Sequence, residues 1–376
     1  MKVAFHIDQL WFSAPGGIGT YVRELAAAMM ADDPTLELLP FRSRFAAGGP
    51  PASWLAGLPP VTIVDRPIRS LYPRWNLAGR PGLPSTLSEA AIVHATNPAA
   101  IAPVRRGQRL VVTVHDLAFL RHPELFPRDW RMLYRSGLRA AARRADAIVV
   151  PSAFTADELR ERSGVDPARV HVTPLAASLP AEPAGDVEAT LVRLGLPRPY
   201  VLSVGTLEPR KNQARLVRAY RQLARAGRPH ALVLNGPDGW LDDSLRAELA
   251  AEGPGRIVRT RDLGAGDLDA LYRGAAVFAY PALYEGFGLP VLEAMARGVP
   301  TVASSSSAIP EVAGEAAVLV DPLDEDAIAA GLALVLDDAA LAGDLRRRGL
   351  ERAASFSWEE TARATLRVYR HVVGAR

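Results

Sequence analysis

Residues 284–294 decide the fold, and they read Tyr-Glu-Gly-Phe-Gly-Leu-Pro-Val-Leu-Glu-Ala. The short apolar run at 276–280 precedes them and predicts a buried strand. A helical pattern follows over 289–297, with Pro290 in its first turn, where a missing N–H costs nothing. Gly286 and Gly288 let the backbone between strand and helix come close to a ligand. The stretch therefore predicts a strand, a ligand-facing turn and a helix.

Two glutamates in this stretch are separated by seven residues. Glu285 precedes the predicted helix, and Glu293 lies about one turn inside it. The N–H groups at a helix start attract anions, and ionised carboxylates accept hydrogen bonds from hydroxyl groups. We therefore expect a ligand that combines an anionic centre with several hydroxyls, and a nucleotide sugar is such a molecule.

Short apolar runs alternate with amphipathic helical patterns along both halves of the chain. This alternation predicts βαβ units and parallel sheets, in which ligands bind beyond the carboxyl ends of the strands. A Pro/Ala-rich break at 180–185 is the predicted linker. The candidate strands are 3–7, 61–64, 91–94, 110–114, 147–150 and 170–173 before this linker, and 200–204, 231–235, 256–258, 277–280, 301–303 and 317–320 after it.

The predicted fold class is α/β, with two doubly wound, Rossmann-like domains that face each other across a cleft. The first spans 1–180 and the second 181–357. A chain of 376 residues that is 49% hydrophobic is long enough for two cores. Helical patterns such as 21–30, 128–144, 212–224 and 267–273 separate the strands.

Composition limits the classes of function. A formal net charge of +3 argues against a dedicated nucleic-acid binder. The absence of cysteine excludes disulfides and thiolate metal sites, and it fits a cytoplasmic protein. Residues 1–8 read as a strand rather than a signal peptide. No apolar run reaches the length of a membrane span. We expect a cytoplasmic protein, and peripheral contact with the inner face of the membrane stays open.

A glycine-rich stretch, Gly16-Gly17-Ile18-Gly19, lies between the first strand and its helix. Such a turn at a helix start can cradle phosphate. As a dinucleotide fingerprint it is poor, because Val22 stands where a small residue belongs. This disfavours an NAD-dependent oxidoreductase.

Adjacent cations, Arg210 and Lys211, precede the helical pattern that starts at 212. Two cations beside a helix start suit a pyrophosphate and would stabilise it as a leaving group. Lys211 is one of only two lysines in an arginine-rich chain, which favours a functional role over a surface one.

The pattern as a whole resembles the retaining glycosyltransferases of the GT-B fold, most closely family 4 and its mannosyltransferase-like group. The segment 285–293 matches the E-x7-E signature of that family. The resemblance covers nearly the whole chain and implies that a last helix, 358–376, crosses back to the first domain. The other matching segments are Gly-Gly-Ile-Gly at 16–19, Thr-Val-His-Asp at 113–116, Val-Pro-Ser at 150–152, Gly-Thr-Leu-Glu-Pro-Arg-Lys-Asn at 205–212 and Pro-Glu-Val-Ala-Gly at 310–314.

The resemblance implies a donor site in the second domain. Glu285 would hold the hydroxyls of the transferred sugar, and Glu293 would take those of the ribose. Backbone atoms would also contact the donor, at Gly205, Gly286, Phe287, Gly288 and Leu289. Many family members carry Gly-Arg where this chain has Gly205-Thr206, so the cationic clamp is one charge weaker or Thr206 donates a hydrogen bond instead.

In the first domain, the resemblance places Gly16 and Gly17 near the donor phosphate and the acceptor. His115 would lie near the hydroxymethyl group of the donor sugar. Asp116 would bind an acceptor hydroxyl or cap the next turn, and both roles stay open. Further acceptor contacts are expected in the loop 66–84, which carries Arg69, Tyr72, Arg74 and Trp75.

The implied activity is retaining transfer of a hexose from a nucleotide-diphosphate sugar to a hydroxyl acceptor, with no cofactor. The catalytic residues would be His115, Arg210, Lys211 and Glu285. The segment 117–124 resembles the mannosyltransferase-like members and favours GDP-mannose. The acceptor stays open among a saccharide, a lipid-linked sugar and a small molecule, as does the oligomeric state. Two alternatives remain, a nucleotide-sugar epimerase on the same fold and a non-catalytic nucleotide-sugar-binding subunit.

Three other features have a plain structural interpretation. The Asp-x-Asp patterns at 267–269 and 324–326 could bind a metal, but both lie where a helix should begin, so helix capping is favoured. We therefore predict a metal-independent enzyme.

A row of arginines recurs at helical spacing and could contact anionic lipid. The interpretation as a solvated helix face is favoured. The arginines of this row are Arg128, Arg131, Arg135, Arg139 and Arg143.

Overall fold

The computed structural model describes residues 1–45, 48–180, 183, 185–239 and 243–375. Residues 181, 182 and 184 of the predicted linker and Arg376 of the predicted last helix lie outside the described residues. The chain divides into two compact units. One comprises Met1–Leu175 with Ser357–Arg376, and the other is Ala176–Phe356.

The first unit is built on a parallel sheet in the order β3-β2-β1-β4-β5-β6-β7. The order reverses between β1 and β4, which is where ligands bind in doubly wound sheets. Its strands are β1 Lys2–His6, β2 Glu37–Arg44, β3 Thr62–Pro67, β4 Ile92–Ala95, β5 Arg109–Thr113, β6 Ala147–Val150 and β7 Val170–Val172.

Helices cover both faces of this sheet, since each crossover between parallel strands needs one. They are α1 Gly16–Asp32, α2 Ala52–Leu55, α3 Ile68–Ala78, α4 Ala118–Arg121, α5 Arg128–Arg144 and α6 Ala153–Ser163. Short 3-10 turns also occur in this unit, at Asp8–Trp11, Ser85–Leu87, Pro123–Leu125 and Pro167–Arg169.

Strand β2 is a feature that the sequence analysis missed. It pairs in parallel with β1 on one side and with β3 on the other. Leu38 and Phe41 are buried, so the strand contributes to the core. Pro40 and the flanking charged residues interrupt the apolar pattern, and proline usually argues against a strand. The pairing partners, which lie elsewhere in the sequence, decide the structure here.

The second unit contains a parallel sheet in the order β10-β9-β8-β11-β12-β13, which reverses between β8 and β11. Its strands are β8 Tyr200–Val204, β9 Ala231–Asn235, β10 Ile257–Thr260, β11 Val277–Tyr280, β12 Thr301–Ser304 and β13 Val318–Val320. Its helices are α7 Val187–Arg193, α8 Gln213–Arg225, α9 Asp243–Ala250, α10 Ala265–Arg273, α11 Leu289–Ala296, α12 Ile309–Ala313, α13 Glu325–Asp337 and α14 Ala339–Ala354, with a 3-10 turn at Pro209–Lys211. The two parallel sheets with their helices confirm the predicted α/β class with two doubly wound domains.

The last helix, α15, spans Trp358–Gly374 and belongs to the first unit. Ser357 caps its start by accepting a hydrogen bond from the backbone N–H of Glu360, at 3.1 Å. Leu366 is fully buried on its inner face. Arg363 forms an ion pair of 2.8 Å with Asp32 at the end of α1. The predicted return of the last helix to the first domain is therefore confirmed.

We predict that Leu366→Ala lowers the free energy of unfolding by about 2–5 kcal/mol, because it leaves a cavity under α15. Leu350→Ala is the matched control, since Leu350 is 46% exposed on α14 and its loss should change stability by only about 0.5 kcal/mol. Urea denaturation measures both values. Equal stabilities for the two variants would contradict the packing of α15 on the first unit.

Candidate active site

Three predicted site residues converge where the strand order of the second unit reverses. Arg210 and Lys211 end the 3-10 turn that follows β8, and Glu285 follows β11. The Nη1 atom of Arg210 lies 3.0 Å from Oε2 of Glu285. The Nζ atom of Lys211 is paired with the other carboxylate oxygen, Oε1. One carboxylate thus holds both predicted cations at the carboxyl edge of the sheet.

Residues without an assigned role in the sequence analysis hold this cluster in place. The carboxylate of Glu208 accepts a hydrogen bond from Nη2 of Arg210, at 2.7 Å. Asn212, which has a left-handed φ of 63°, donates through Nδ2 to the carbonyls of Pro281 and Pro322, at 2.9 and 2.7 Å. These bonds tie the loop after β8 to the loops after β11 and β13. The signal in the sequence was the placement of Glu208 and Asn212 on either side of the two cations.

The cluster is a largely buried group of charges. The side chain of Glu285 is 10% exposed, and those of Arg210 and Lys211 are 13% and 11% exposed. Burial alone would raise the pKa of Glu285. The charges of Arg210 and Lys211, with hydrogen bonds from Lys211 and Tyr280, outweigh burial and lower that pKa to about 2. The carboxylate is therefore ionised at neutral pH.

The turn between Glu285 and α11 depends on glycine. Gly288 has a φ of +108°, and a Cβ atom there would lie 2.4 Å from Cδ1 of Ile309. Phe287 is buried with its ring edge-on to that of Phe356. Leu289 begins α11, as the sequence indicated. Contacts of the backbone at 286–289 with a ligand stay a prediction.

Gly205 and Thr206 lie directly after β8. Gly205 has a φ of +153°, and its N–H donates to the carbonyl of Asn235 at 2.9 Å. The stem of Lys211 runs past it, 3.8 Å from where a Cβ atom would stand. Thr206 is half-buried, and its carbonyl accepts a hydrogen bond from Gln213. A side-chain hydrogen bond from Thr206 to a ligand stays a prediction.

Glu293 lies in α11, one turn after its start. The hydroxyl of Tyr272 donates a hydrogen bond to Oε2 of Glu293, at 3.1 Å. Nη1 of Arg297 donates to the backbone carbonyl of Glu293, at 3.0 Å. The glutamate is half-buried. It is therefore held by a neighbour on α10, and its proposed contact with a ribose stays a prediction.

The capping prediction for the two Asp-x-Asp patterns is wrong for one and confirmed for the other. Helix α10 begins at Ala265, so Asp269 lies inside it, fully buried between Arg297 and Arg273, at 2.8 and 2.7 Å. Asp324 does cap α13. Among the residues that the structure describes, no group of three His, Cys, Asp or Glu side chains is placed to hold a metal ion.

In the first unit, the glycine stretch is not a turn before the helix. Gly16 and Gly17 are exposed and form the first turn of α1, with Gly16 at a φ of +55°. The apolar pattern of α1 becomes visible only from Tyr21, because glycines carry no side chain to show the period. A phosphate contact at Gly16 and Gly17 stays a prediction.

His115 lies just beyond β5 and is oriented by its neighbours. Its Nε2 atom lies 2.9 Å from the carbonyl oxygen of Thr96. Since a carbonyl only accepts, Nε2 carries the proton and Nδ1 has a free lone pair. Burial lowers the pKa of His115, although the Thr96 carbonyl and the Asp116 charge act in the opposite direction. The carboxylate of Asp116 accepts a 3.0 Å hydrogen bond from the N–H of Ala118, which stabilises the turn that leads into α4, and its acceptor role stays a prediction.

A buried row of polar groups lies behind His115. The ring of Tyr21 is edge-on to that of His115, with centroids 4.8 Å apart. The hydroxyl of Tyr21 lies 2.8 Å from that of Thr113, which lies 2.7 Å from Nε2 of His94. Nδ1 of His94 lies 2.5 Å from the hydroxyl of Tyr369 on α15. Burial, with His115 and His6 nearby, lowers the pKa of His94 to about 3, so this row is neutral.

The predicted acceptor loop is partly inside the core. Tyr72 and Trp75 are fully buried; Tyr72 donates to Asp8 at 2.6 Å, and Trp75 donates to the carbonyl of Pro81 at 2.9 Å. The prediction that they contact an acceptor is therefore wrong, because helix α3 turns them inward. Arg69 and Arg74 are exposed.

A surface cavity of about 570 Å³ also involves the loop 66–84. It is lined by Arg44, Val64, Asp65, Arg66, Pro67, Pro81, Gly82 and Pro84.

The arginine row lies on α5. Arg128, Arg139 and Arg143 are exposed, while Arg131 and Arg135 are half-buried. The opposite face of the helix packs on the core through small residues such as Ala140 and Ala141. In the part of the chain that the structure describes, no helix combines the length and the apolar character that a membrane crossing requires.

Comparison with known proteins extends these observations. A model of the "Glycosyl transferases group 1" matches residues 192–352, and one of "Glycosyltransferase Family 4" matches residues 15–179. The O-antigen chain mannosyltransferase B of Escherichia coli is 37% identical over 273 residues, which cover 70% of this chain and 71% of that protein. The chain belongs to the family 4 glycosyltransferases. The D-inositol 3-phosphate glycosyltransferase of Salinispora arenicola is 32% identical and covers 96% of this chain and 88% of its own length.

Solved structures show the same fold for this glycosyltransferase. Sucrose-phosphate synthase of Thermosynechococcus elongatus superposes with a TM-score of 0.74 at 22% identity, over all of both chains. HepE of Anabaena, in complex with UDP and glucose, superposes with a TM-score of 0.73 at 19% identity, over 98% of each chain. The chain thus has the GT-B fold.

We predict that Glu285 makes the folded state lose stability in acid. Its pKa is lowered from 4.5 to about 2 on folding, so the ionised carboxylate stabilises the protein above about pH 4.5. This contribution to the free energy of unfolding, on the order of 3 kcal/mol, is lost as the pH falls from about 4.5 to about 2. The measurement is the free energy of unfolding against pH for the wild type and Glu285→Gln.

The expected result is a wild-type advantage at pH 7 that shrinks between about pH 5 and pH 2. Glu252→Gln is the control, because Glu252 is an exposed carboxylate of the same unit. A difference between wild type and Glu285→Gln that stays constant with pH would contradict the assigned charge cluster.

Proposed function

We propose that this glycosyltransferase moves a hexose from a nucleotide-diphosphate sugar to a hydroxyl acceptor, with retention of the anomeric configuration. The observation that carries the proposal is the convergence of Arg210 and Lys211 on Glu285 at the strand reversal of the second unit. Two cations at one point match the charge of a diphosphate, and a carboxylate beside them matches the hydroxyls of the attached sugar.

The proposed mechanism uses the cations on the leaving group. As the bond from the anomeric carbon to the diphosphate breaks, negative charge grows on the phosphate oxygen, and Arg210 and Lys211 stabilise it. They supply the positive charge that a metal ion supplies in other transferases, so we propose that no metal or other cofactor takes part. The leaving phosphate would help to deprotonate the acceptor on the same face of the sugar, which gives retention.

Glu285 is unsuited to act as the nucleophile of a double displacement. Oε1 receives hydrogen bonds from Lys211 and Tyr280, and Oε2 is paired with Arg210. A nucleophile needs an accessible lone pair, whereas these three donors spread and hold the charge. We therefore propose that Glu285 binds sugar hydroxyls and Glu293 those of the ribose, with His115 contributing from the first unit.

We propose GDP-mannose as the donor and a saccharide as the acceptor. The support is the segment 117–124, which resembles mannosyltransferase-like members, and the name of the O-antigen chain mannosyltransferase of Escherichia coli. HepE was solved with UDP and glucose, so uridine donors belong in the same test.

The function test is binding and hydrolysis of a panel of GDP-, UDP-, dTDP- and ADP-sugars, followed by transfer to saccharide acceptors. We expect one donor to bind and to release its diphosphate slowly, and the NMR coupling of the product to report the donor's anomeric configuration. Inversion would contradict the mechanism. Free nucleotide with an altered sugar and no transfer would indicate the epimerase alternative. No turnover of any donor would indicate the non-catalytic nucleotide-sugar-binding subunit.

We predict that Lys211→Ala and Glu285→Ala each reduce turnover by about 100-fold or more while the protein stays folded, because each removes a group placed on the developing charge or on the sugar. The chain offers a matched control in Lys2→Ala, since Lys2 is the other lysine and pairs with Glu37 and Glu89 at the surface. Turnover and circular dichroism are measured together. Normal turnover in a folded Glu285→Ala variant would refute the site.

A further inference from the structure

Each of the two signature glutamates receives a hydrogen bond from a buried tyrosine. The hydroxyl of Tyr280 donates to Oε1 of Glu285 at 2.9 Å, and that of Tyr272 donates to Oε2 of Glu293 at 3.1 Å. Both tyrosines are almost completely buried. The two pairs are nested in the sequence, because the later tyrosine pairs with the earlier glutamate; the two tyrosines are eight residues apart, as are the two glutamates.

The two tyrosines are connected by a third ring. Tyr272 lies in the last turn of α10 and Tyr280 ends β11. The ring of Phe278 lies between them, with its centroid 5.6 Å from that of Tyr272 and 5.9 Å from that of Tyr280. The three buried rings thus pack against each other in a row, and the hydroxyls of the two outer rings donate to Glu293 and Glu285. Buried rings in such contact have little rotational freedom, so the hydroxyls have fixed positions.

A cation also holds each tyrosine. Nζ of Lys211 donates to the hydroxyl of Tyr280 at 2.8 Å and lies 5.4 Å from the ring centroid. The guanidinium of Arg297 lies 4.8 Å above the ring of Tyr272 and is itself held by Asp269. The hydroxyl of Tyr280 therefore accepts from the lysine and donates to the glutamate, which leaves it one hydrogen-bonding arrangement.

Toward its glutamate, each tyrosine acts as a neutral donor. Burial and the carboxylate beside each one raise the pKa of both hydroxyls well above the usual value, so neither ionises during catalysis. A tyrosine has one proton to donate, so it occupies one lone pair of its glutamate. On Glu285 the other donors are Lys211, which shares Oε1 with Tyr280, and Arg210 on Oε2, so together these groups fix the orientation of the carboxylate.

We propose that Tyr272 and Tyr280 are positioning residues that fix the carboxylates of Glu293 and Glu285 for the donor. This inference rests on the proposed function, in which Glu285 acts at the sugar and diphosphate and Glu293 at the ribose. Loss of the Tyr280 hydroxyl therefore affects the chemical step. Loss of the Tyr272 hydroxyl affects donor binding.

The test uses Tyr280→Phe and Tyr272→Phe, which remove a single oxygen each. Because a hydrogen bond to a charged group is stronger than one between neutral groups, its loss is expected to change a kinetic parameter about tenfold. Tyr280→Phe should lower kcat about tenfold with the donor KM nearly unchanged. Tyr272→Phe should raise the donor KM about tenfold with kcat nearly unchanged.

Two other buried tyrosines of the same unit serve as controls. The hydroxyl of Tyr200 donates to the carbonyl of Leu271 at 2.6 Å, and that of Tyr220 to the carbonyls of His230 and Arg256 at 3.0 Å. Tyr200→Phe and Tyr220→Phe lose a buried hydroxyl whose hydrogen bonds, as given above, go to backbone carbonyls. Both kinetic parameters should stay within about twofold of wild type, even where unfolding in urea shows a similar loss of stability.

Double variants test whether each tyrosine acts through its glutamate. Tyr280→Phe is combined with Glu285→Ala, and Tyr272→Phe with Glu293→Ala. A positioning role predicts that each tyrosine substitution has no further effect once its glutamate is gone. Equal effects with and without the glutamate would overturn the inference.

The outcomes separate the two proposals. Full activity of both glutamate variants would refute the proposed site itself. Loss of activity in the glutamate variants, with tyrosine variants that behave like the Tyr200→Phe control, would overturn the positioning role and leave the proposed function standing.

Discussion

The second unit depends on one buried electrostatic contact, the carboxylate of Glu285 with Arg210 and Lys211. Burying a charge is costly unless partners compensate it. The compensation here requires that the loops after β8 and β11 meet, and this happens only because the strand order reverses between them. Asn212 and the carbonyl of Tyr284 then hold the meeting point. The order of the strands, the conformation of the loops and the placement of the charges thus depend on one another.

The same contact bears on the proposed donor. The carboxylates of Glu285 and Glu208 together balance the charges of Arg210 and Lys211. A diphosphate would bring its own negative charge, so in the proposed function it takes over part of the role of these carboxylates. Binding would then exchange one anionic partner for another beside cations that the protein already holds in place.

The sequence predicted the parts of the fold that local patterns encode. Alternating apolar runs predicted the parallel sheets, and the segment 276–297 predicted a strand, a glycine turn and a helix in the observed order. Features that depend on distant partners were out of reach. Strand β2 contains Pro40 and is a strand because β1 and β3 pair with it. Asp269 sits inside α10 because two arginines, one of them outside that helix, compensate its charge.

Within the candidate site the same division holds. Arg210, Lys211 and Glu285 were recognisable, since charged residues beside glycine turns stand out in an apolar context. Tyr272 and Tyr280 were hidden, because a tyrosine at the end of a strand or helix reads as one more core residue. Tyr72 and Trp75 show the opposite error, because they were expected to contact an acceptor and are instead buried in the core. Only the packing of neighbours distinguishes a tyrosine that fills space from one that orients a carboxylate.

The membership of α15 in the first unit has a consequence for biosynthesis. Synthesis runs from the first residue to the last, so residues 176–356 leave the ribosome before α15 does. Until then the surface of α1 that α15 covers stays exposed to solvent, and His94 has no Tyr369 to pair with. The second unit can fold while the first is still incomplete. While residues 176–356 are being made, a nascent chain therefore carries a first unit whose sheet is present and whose helical layer still lacks α15.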